Sequence, residues 1–216
     1  MAQFRTILFD LDGTLIDHFK AIHRTYCHTL PLVGVPAPTP LQVRHAVGGG
    51  LENAIAKFVP ANRLAEAIAI YRKYWHETML EDVEALPGSL EILQASVERG
   101  ITCGVLTNKL GISSRQICDK LGYTKYLKSV IGAGDTSWLK PKAELSAYAL
   151  EQVGGTNDSA LLVGDSPYDV DAGHNGGFVS WVVTTGTHSA TELSHAKADR
   201  IFPNLFALGQ ALMAGT

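Results

Sequence analysis

Short apolar runs that end in polar residues recur along the chain. They are TILFD at residues 6–10, TCGVLTN at 102–108, SVIGAGD at 129–135, ALLVGD at 160–165 and VSWVVTTG at 179–186. Uninterrupted apolar runs of this length predict strands buried on both faces, as in a parallel sheet. A shorter run, RIFP at 200–203, predicts an edge strand.

The segments between these runs have helical periodicity. ISSRQICDKLGY, which follows the second run, predicts one helix, and Leu145, Tyr148 and Ala149 show the i, i+3, i+4 spacing of another. Strands that alternate with helices are typical of a doubly wound parallel α/β sheet. Functional groups in such a sheet collect at the C-terminal ends of the strands, where the polar residues of this sequence lie.

The gap between the first two runs is too long for one crossover helix. Its apolar residues have helical spacing in three stretches, which begin at Phe19, Leu51 and Leu64. PAPTP at 36–40 predicts a rigid loop, and Leu86-Pro87-Gly88 marks the return to the sheet. We therefore expect an α/β core formed by residues 1–16 and 86–216, with a small helical cap domain, residues 17–85, inserted after the first strand.

The composition is that of an ordinary globular protein, with 46% hydrophobic and 18% charged residues and a net charge of -3. This charge argues against the basic surface of a nucleic-acid-binding protein. Three cysteines without CxxC spacing predict neither a disulfide framework nor a thiolate metal site. The first apolar run is too short for a signal sequence or a membrane span, so we expect a cytoplasmic protein with no membrane or nucleic-acid partner.

Four aspartates follow predicted strands. Asp10 and Asp12 follow the first strand, and Asp165 and Asp169 follow the fourth. If the sheet closes as expected, the four carboxylates approach one another and need a cation to remain ionised. Mg2+ fits such a site because it takes few protein carboxylates and leaves positions for water and phosphate.

Both pairs of aspartates also have a purely structural interpretation. Asp12-Gly13 is a strong hairpin-turn signal, but the residues that follow have helical spacing rather than strand spacing. In GDSPYD, Ser166 or Asp165 could cap a helix that starts at Pro167. This second interpretation is compatible with metal binding, since one loop can serve both purposes.

Two further strand ends carry polar groups. Thr107 and Asn108 end the second strand and offer a hydroxyl, an amide and backbone N–H groups to a phosphate oxygen. Lys140 follows the third strand, and Pro141 is expected to start the next helix. A lysine beside four aspartates would offset their charge and that of an incoming phosphate. Together these groups match phosphoryl transfer through a carboxylate nucleophile, and no Walker A or GxGxxG glycine loop points to a nucleotide donor.

The order of these short motifs resembles the haloacid dehalogenase superfamily along nearly the whole chain. DxDGT corresponds to residues 10–14, the second-strand Thr to Thr107, the lysine motif to Lys140, and GDxxxD to residues 164–169. The resemblance implies an α/β core of the superfamily type with a helical cap. It also implies a phosphatase similar to phosphoglycolate phosphatase, because TNK, IGAGD, KP and VGDSPYDVDAG are most similar to that subgroup.

The resemblance assigns roles to the motif residues. Asp10 would be the nucleophile that forms an aspartyl-phosphate, and Asp12 would protonate the leaving oxygen and later activate water. Asp10, the backbone carbonyl of Asp12 and Asp165 would bind Mg2+, with Asp169 as a ligand or as a group that supports the ligands.

The phosphate would be bound by a second set of residues. By the same resemblance these are Gly13, Thr14, Thr107, Asn108 and Lys140, and Lys140 would also orient the nucleophile. The second aspartate of DxD favours phosphate chemistry over carbon–halogen cleavage and over phosphonate chemistry.

In the cap, Arg44 and Gly49 are candidates for substrate contact. Gly49 belongs to the run Gly48–Gly50, which precedes a helix that begins near Leu51. Such a run can offer N–H groups to an anion, let the cap approach the core closely, or simply break a helix. His18 and the two histidines that follow it at five-residue intervals do not share a helix face, so they are interpreted as packing or surface residues.

Three other functions compete with a phosphatase acting on a small phosphorylated metabolite. A sugar-phosphate mutase similar to β-phosphoglucomutase would retain the phosphate, although Thr14 favours a phosphatase. A phospho-acceptor signalling domain would have no inserted helical domain and would carry its acceptor after the third strand. A metabolite-binding protein without activity would not require the complete set of motif residues. The sequence leaves open whether the protein is a monomer or a homodimer.

Overall fold

The computed structural model describes residues 4–214. The strands in this part of the chain are β1 (Thr6–Phe9), β2 (Ile16–Asp17), β3 (Glu84–Ala85), β4 (Thr102–Leu110), β5 (Leu127–Ala133), β6 (Ala160–Gly164), β7 (Val179–Val183) and β8 (Arg200–Phe202). The helices are α1 (Phe19–Leu32), α2 (Pro40–Arg44), α3 (Leu51–Ala56), α4 (Ala61–Thr78), α5 (Ser89–Glu98), α6 (Gly111–Lys120), α7 (Ala143–Val153), α8 (Pro167–Asn175), α9 (Ala190–His195) and α10 (Leu205–Met213). Two short 3-10 turns lie at Thr124–Tyr126 and Asn157–Ser159.

Six strands form one parallel sheet in the order β5-β4-β1-β6-β7-β8. The predicted α/β class and the six predicted strands are confirmed, with β8 as the edge strand. β1 lies between β4 and β6, and Phe9 is opposite Val105 on one side and Val163 on the other. The C-terminal ends of these three strands therefore lie next to one another.

Helices cover both faces of the sheet. In β1, Ile7 and Phe9 pack into a core shared with α5, α6 and α10, whereas Leu8 packs on the opposite face against α7. These three side chains have no solvent exposure. Burying each one contributes roughly 1.5–3 kcal/mol, which fixes the strand whose end carries Asp10 and Asp12.

Helices α1 to α4 lie in the chain between β2 and β3 and have a hydrophobic cluster of their own. The buried members of that cluster run from Phe19 to Met79 and include Tyr26, Tyr71 and Trp75. Tyr71 stacks on Trp75 with ring centroids 5.9 Å apart, and Tyr26 meets the edge of Tyr71 at 5.2 Å.

Three local expectations differ from the structure. Residues 13–17 do not begin a helix: Gly13 donates to the Ile16 carbonyl in a tight turn, and β2 then pairs antiparallel with β3. Pro40 of the expected rigid loop is the first residue of α2, because Thr39 and Gln42 form a capping box. Pro141 does not start a helix, since α7 begins at Ala143.

The outermost residues of the expected core, 1–3 and 215–216, lie outside the described residues. Among residues 4–214, no helix has both the length and the apolar character that a membrane span requires.

Candidate active site

The ends of β1, β4 and β6 bring the predicted residues together. Asp10 directly follows β1 and Asp165 directly follows β6, while Thr107 lies near the end of β4. β4 continues to Leu110 rather than ending at Asn108, and its pairing with β5 is irregular between Leu106 and Leu110. Thr107 and Asn108 lie within this irregular stretch, are buried and line the same cavity as Asp10 and Asp165.

Lys140 connects two of the aspartates. Its Nζ lies 2.8 Å from Asp10 Oδ1 and donates to Asp169 Oδ1 at 2.5 Å. Burial acts to lower the pKa of Lys140, but the neighbouring Asp10 and Asp169 carboxylates outweigh it and raise that pKa. The lysine therefore remains charged inside the protein. Against the effect of burial, Lys140 and the Thr107 hydroxyl both act to lower the pKa of Asp10.

The second oxygen of Asp169 holds the start of α8. It accepts hydrogen bonds from the Ser166 N–H at 3.0 Å, the Ser166 hydroxyl at 2.6 Å and the Asp165 N–H at 3.2 Å. Ser166 is the N-cap and Pro167 the first helical residue, as expected from the sequence. A Cβ at Gly164 would lie 2.1 Å from Asp169 Cγ, so only glycine fits beside this carboxylate.

Asp10, Asp165 and Asp169 form a compact buried acidic group. One oxygen from each lies within 4.8 Å of the others. Burial raises the pKa of Asp10 to about 6, with Lys140 opposing the shift and Asp169 adding to it. Burial, followed by the charges of Asp169 and Asp10, raises the pKa of Asp165 well above its ordinary value.

One lysine does not neutralise three buried carboxylates. A hard divalent cation accepts oxygen ligands and would restore their ionised state. The oxygen-only donor set of Asp10, Asp165 and Asp169 fits such an ion, and these are three of the residues predicted to bind metal. The side chain of Asp12 is not part of this group, and coordination of a metal by its carbonyl stays a prediction.

The Asp12 carboxylate is bound by Lys109 instead. Lys109 Nζ donates to Asp12 Oδ2 at 2.8 Å and to Oδ1 at 3.0 Å, and it lies 4.5 Å from the centroid of the Trp75 ring. Lys109 was not among the site residues predicted from the sequence. The available signal was its place directly after Thr107 and Asn108, as the third polar residue following an apolar strand.

His18 packs behind this ion pair. Its Nδ1 is 3.9 Å from Asp12 Oδ1, its Nε2 is 2.6 Å from the Met79 carbonyl oxygen, and its ring lies 4.8 Å from Trp75. Burial and the charge of Lys109 lower the pKa of His18 to about 4, so the imidazole is neutral at pH 7. Of the two predicted roles, packing or surface, the complete burial of His18 supports packing.

Gly13 forms the tight turn between Asp12 and β2. Its φ of +84° lies in the left-handed region, and a Cβ would approach Asp165 Oδ2 to 2.7 Å. Thr14 is fully buried, and neither residue lines the cavity described below. A role of Gly13 and Thr14 in phosphate binding stays a prediction.

A cavity of about 530 Å3 separates the sheet edge from helices α1, α3 and α4. Asp10, Asp12, Thr107, Lys140 and Asp165 line its inner end. Two carboxylates two residues apart therefore face one space but have different partners, Lys140 for Asp10 and Lys109 for Asp12. This geometry can place a nucleophile and a separate acid or base beside the same bound group.

Comparison with known proteins identifies the family. A model of haloacid dehalogenase-like hydrolases matches residues 7–183. The chain belongs to the haloacid dehalogenase-like hydrolase family.

Relatives of this hydrolase match most of its length. It is 32% identical over 173 residues to a phosphoglycolate phosphatase from Aquifex aeolicus, covering 80% of this chain and 81% of the relative. It is 29% identical over 212 residues to a 5'-nucleotidase from Pseudomonas aeruginosa, covering 97% and 96%. A haloacid dehalogenase-like hydrolase from Streptococcus pneumoniae has the same fold, with a TM-score of 0.88, 23% identity and coverage of 96% and 98%.

The Asn108 side chain of the hydrolase is hydrogen-bonded both to the helical segment, at Gly48, and to the backbone of Lys140. Its Nδ2 donates to the Gly48 carbonyl at 2.9 Å and to the Lys140 carbonyl at 3.2 Å, and its Oδ1 accepts from the Lys140 N–H at 2.8 Å. The side chain thus fixes the backbone of Lys140. A contact of Asn108 with phosphate stays a prediction.

The two cap candidates do not line the cavity. The Arg44 guanidinium carbon lies 4.4 Å from the centroid of the Phe19 ring. Phe19 lines the cavity, whereas Arg44 does not. A Cβ at Gly49 would lie 2.7 Å from the Tyr168 hydroxyl, so the glycine run lets the helical segment approach α8 closely. Substrate contact by Arg44 or Gly49 stays a prediction.

Proposed function

We propose that this hydrolase is a Mg2+-dependent phosphatase that releases inorganic phosphate from a small phosphorylated metabolite through an aspartyl-phosphate on Asp10. The observation that carries the proposal is the pair of carboxylates at the inner end of one cavity, with Asp10 bound to Lys140 and Asp12 bound to Lys109. The phosphatase and nucleotidase names of the relatives support the same reaction class.

In the first half of the reaction, an Asp10 oxygen attacks phosphorus and the bond from phosphorus to the ester oxygen breaks. Asp12 donates a proton to the departing alcohol. Lys140 neutralises charge on Asp10 and on the phosphoryl oxygens, and Thr107 donates to the same group. In the second half, Asp12 takes a proton from water, which attacks the aspartyl-phosphate and releases phosphate from a regenerated Asp10.

Asp10, the Asp12 carbonyl and Asp165 would hold Mg2+, with Asp169 as a further or supporting ligand. When bound, the ion supplies positive charge to the transferred phosphoryl group. The protein already supplies a rigid setting for it, because Asp169 is fixed by both Ser166 and Lys140.

We also propose that residues 17–85 act as a cap domain over a catalytic core of residues 1–16 and 86–216. Support comes from the separate hydrophobic cluster of α1 to α4. The two connections to the sheet run side by side as β2 and β3, where Ile16 is opposite Ala85. Both proposed boundaries lie at this short pair.

The test is phosphate release from a panel of phosphoglycolate, sugar phosphates, nucleotides and pyrophosphate, with Mg2+ and with a chelator. Phosphoglycolate is the reference substrate because the sequence resemblance puts it first. We expect release only with Mg2+, and none from Asp10→Asn, whose fold is verified by circular dichroism. Full activity of Asp10→Asn would contradict the mechanism. Transfer of phosphate between sugar positions without release would identify a mutase instead.

A further inference from the structure

Every lysine and arginine that lines the cavity already has a carboxylate partner. Lys140 is paired with Asp10 and Asp169, and Lys109 is paired with Asp12. The remaining cation of the lining, Arg72, lies 2.6 Å from Glu52. Among the described residues of the lining, each lysine and arginine thus has an acidic neighbour that offsets its attraction for an acidic group on the alcohol part of a substrate.

The rest of the lining is largely apolar on both sides. The helical segment contributes Ile22, Val47 and Leu51, and the sheet side contributes Leu110, Ile112, Trp138 and Leu139. Ile112 is 57% exposed and Trp138 is 37% exposed, so two large apolar side chains of the sheet side remain open to the cavity. Exposed apolar groups that line a concave site are typical of ligand contacts.

Trp138 is also held close to the phosphate end of the cavity. Its backbone N–H donates to the Thr136 hydroxyl oxygen at 3.1 Å, and that hydroxyl donates to the Trp138 carbonyl at 3.2 Å. Two residues later, the backbone of Lys140 is fixed by Asn108. The Cα atoms of Trp138 and Lys140 are therefore at most about 7 Å apart, and both side chains line the same cavity.

We propose that the substrate is a phosphate monoester of an uncharged alcohol that carries a planar ring, and that the ring packs on Trp138 beside Ile112. The inference rests on the proposed phosphatase function and narrows its substrate class. The carboxylate of an alcohol such as glycolate would bind in a cavity where each lysine and arginine already has a carboxylate partner. A ring would cover apolar surface that is otherwise exposed to water.

The experiment compares kcat/KM for 2-phenylethyl phosphate, ethyl phosphate and phosphoglycolate with the full chain and Mg2+. The two alkyl esters have leaving alcohols of similar acidity, so their ratio reports binding of the ring rather than chemistry. We expect kcat/KM for the phenylethyl ester to exceed that for the ethyl ester about tenfold, and to exceed that for phosphoglycolate as well. Thymidine 5'-monophosphate distinguishes the source of the ring. A kcat/KM above that of the phenylethyl ester would indicate a nucleobase, and a kcat/KM below it would indicate a hydrocarbon ring.

Substitutions at Trp138 test the contact itself. Trp138→Ala is expected to bring the phenylethyl-to-ethyl ratio close to one, and Trp138→Leu, which keeps an apolar side chain, to give an intermediate ratio. Phe206→Ala is the control, because Phe206 is a 50% exposed aromatic residue on α10 that does not line the cavity. It should leave the ratio unchanged.

Two results would overturn the inference. One is a wild-type preference for phosphoglycolate over both ring-bearing esters, and the other is an unchanged ratio in folded Trp138→Ala. Failure of the proposed function is distinguishable from either result, because no ester would then release phosphate.

Discussion

Lys109 binds both oxygens of the Asp12 carboxylate, at 2.8 and 3.0 Å, from a position 97 residues later in the chain. Lys109 and Asp12 are only 8% and 13% exposed, so water screens this pair weakly. The contact fixes where the proposed acid and base group points, while Asp10, two residues earlier, points to Lys140. The division of roles between the two carboxylates follows from this difference in partners.

Removing the Lys109 charge is therefore expected to impair the chemical step. We expect Lys109→Met to lower kcat about tenfold to a hundredfold, which is within the contribution of a positioned acid or base. KM should change less, and Lys109→Arg should retain more activity because guanidinium can also bind both oxygens.

Steady-state kinetics on the best substrate of the panel measure this effect. Lys20→Met is the control, because Lys20 also pairs with an aspartate, Asp82, but is 80% exposed on the helical segment. An unchanged kcat in Lys109→Met would contradict a positioning role.

Mg2+ is expected to stabilise the folded protein through the acidic group. A ligand at one hundred times its Kd adds about 2.7 kcal/mol to the free energy of unfolding. Asp165→Asn should lose most of this gain. Without Mg2+, the same variant should unfold at a higher temperature than the wild type, because one of three adjacent buried carboxylates has been neutralised.

Thermal unfolding with Mg2+ and with a chelator measures both effects of Asp165→Asn. Asp171→Asn is a matched control, since Asp171 is an exposed aspartate on the same α8 helix that follows Asp165. Equal Mg2+ shifts in the two variants would rule out Asp165 as a ligand.

Because Gly49 lies close to Tyr168, we expect substitutions at these two residues to have non-additive effects on the free energy of unfolding. A Cβ at Gly49 would lie 2.7 Å from the Tyr168 hydroxyl oxygen and 3.1 Å from its Cζ. Gly49→Ala should therefore lower the free energy of unfolding by about 1 kcal/mol or more, and Tyr168→Phe in the same chain should recover most of that loss.

Urea unfolding of the two single variants and the double variant measures the coupling between Gly49 and Tyr168. Gly209→Ala serves as the reference substitution, because the nearest atoms to a Cβ there are 3.9 Å away. Additive effects of Gly49→Ala and Tyr168→Phe would mean that the two residues do not touch in solution.

Burial of Cys118 predicts a loss of stability at alkaline pH. Burial raises the pKa of this thiol from 9.0 to about 12. Between pH 9 and 12 the folded protein keeps the thiol proton, whereas the unfolded chain releases it. The contribution of this thiol to the free energy of unfolding is therefore complete below pH 9 and is lost as the pH rises toward 12. Between pH 9 and 10.5 the expected loss is about 2 kcal/mol.

The difference in unfolding free energy between wild type and Cys118→Ala, measured with urea at several pH values, isolates this thiol from other titrating groups. The difference should shrink as the pH rises. Cys27→Ala provides the comparison, because Cys27 is only partly buried. A difference that is independent of pH would contradict the raised pKa of Cys118.

Local patterns in the sequence were sufficient for the strands and for the aspartates at their ends. Every residue of β1 is buried because helices cover both faces of the sheet, and Asp10 follows at once because the strand ends there. The same reasoning located Asp165, whereas Lys140 lies well after β5, which ends at Ala133, and was identified by its place in the order of motifs. Each of these inferences depends on a few consecutive residues whose side chains have one dominant preference.

Short or distant pairings were not accessible in this way. β2 and β3 contain two residues each, far too few for a periodic pattern, and they meet only because the helical segment returns the chain to its starting point. Helix α2 has only five residues, and its first residue, Pro40, was expected to belong to a loop. The pairing of Lys109 with Asp12 has no local signal, because nothing near Lys109 in the chain specifies its partner.

The sequence by itself determined the α/β class, the inserted helical stretch and the identity of the buried acidic residues, since hydrophobic periodicity and strand-end aspartates are local properties. Tertiary structure alone decided which cation each carboxylate meets, how closely the glycine run approaches Tyr168, and that Trp138 remains open to the cavity. The physical reason is that strand order and the packing of helices on the sheet bring together side chains from distant parts of the chain, and charge and steric fit act only between groups that are already in contact.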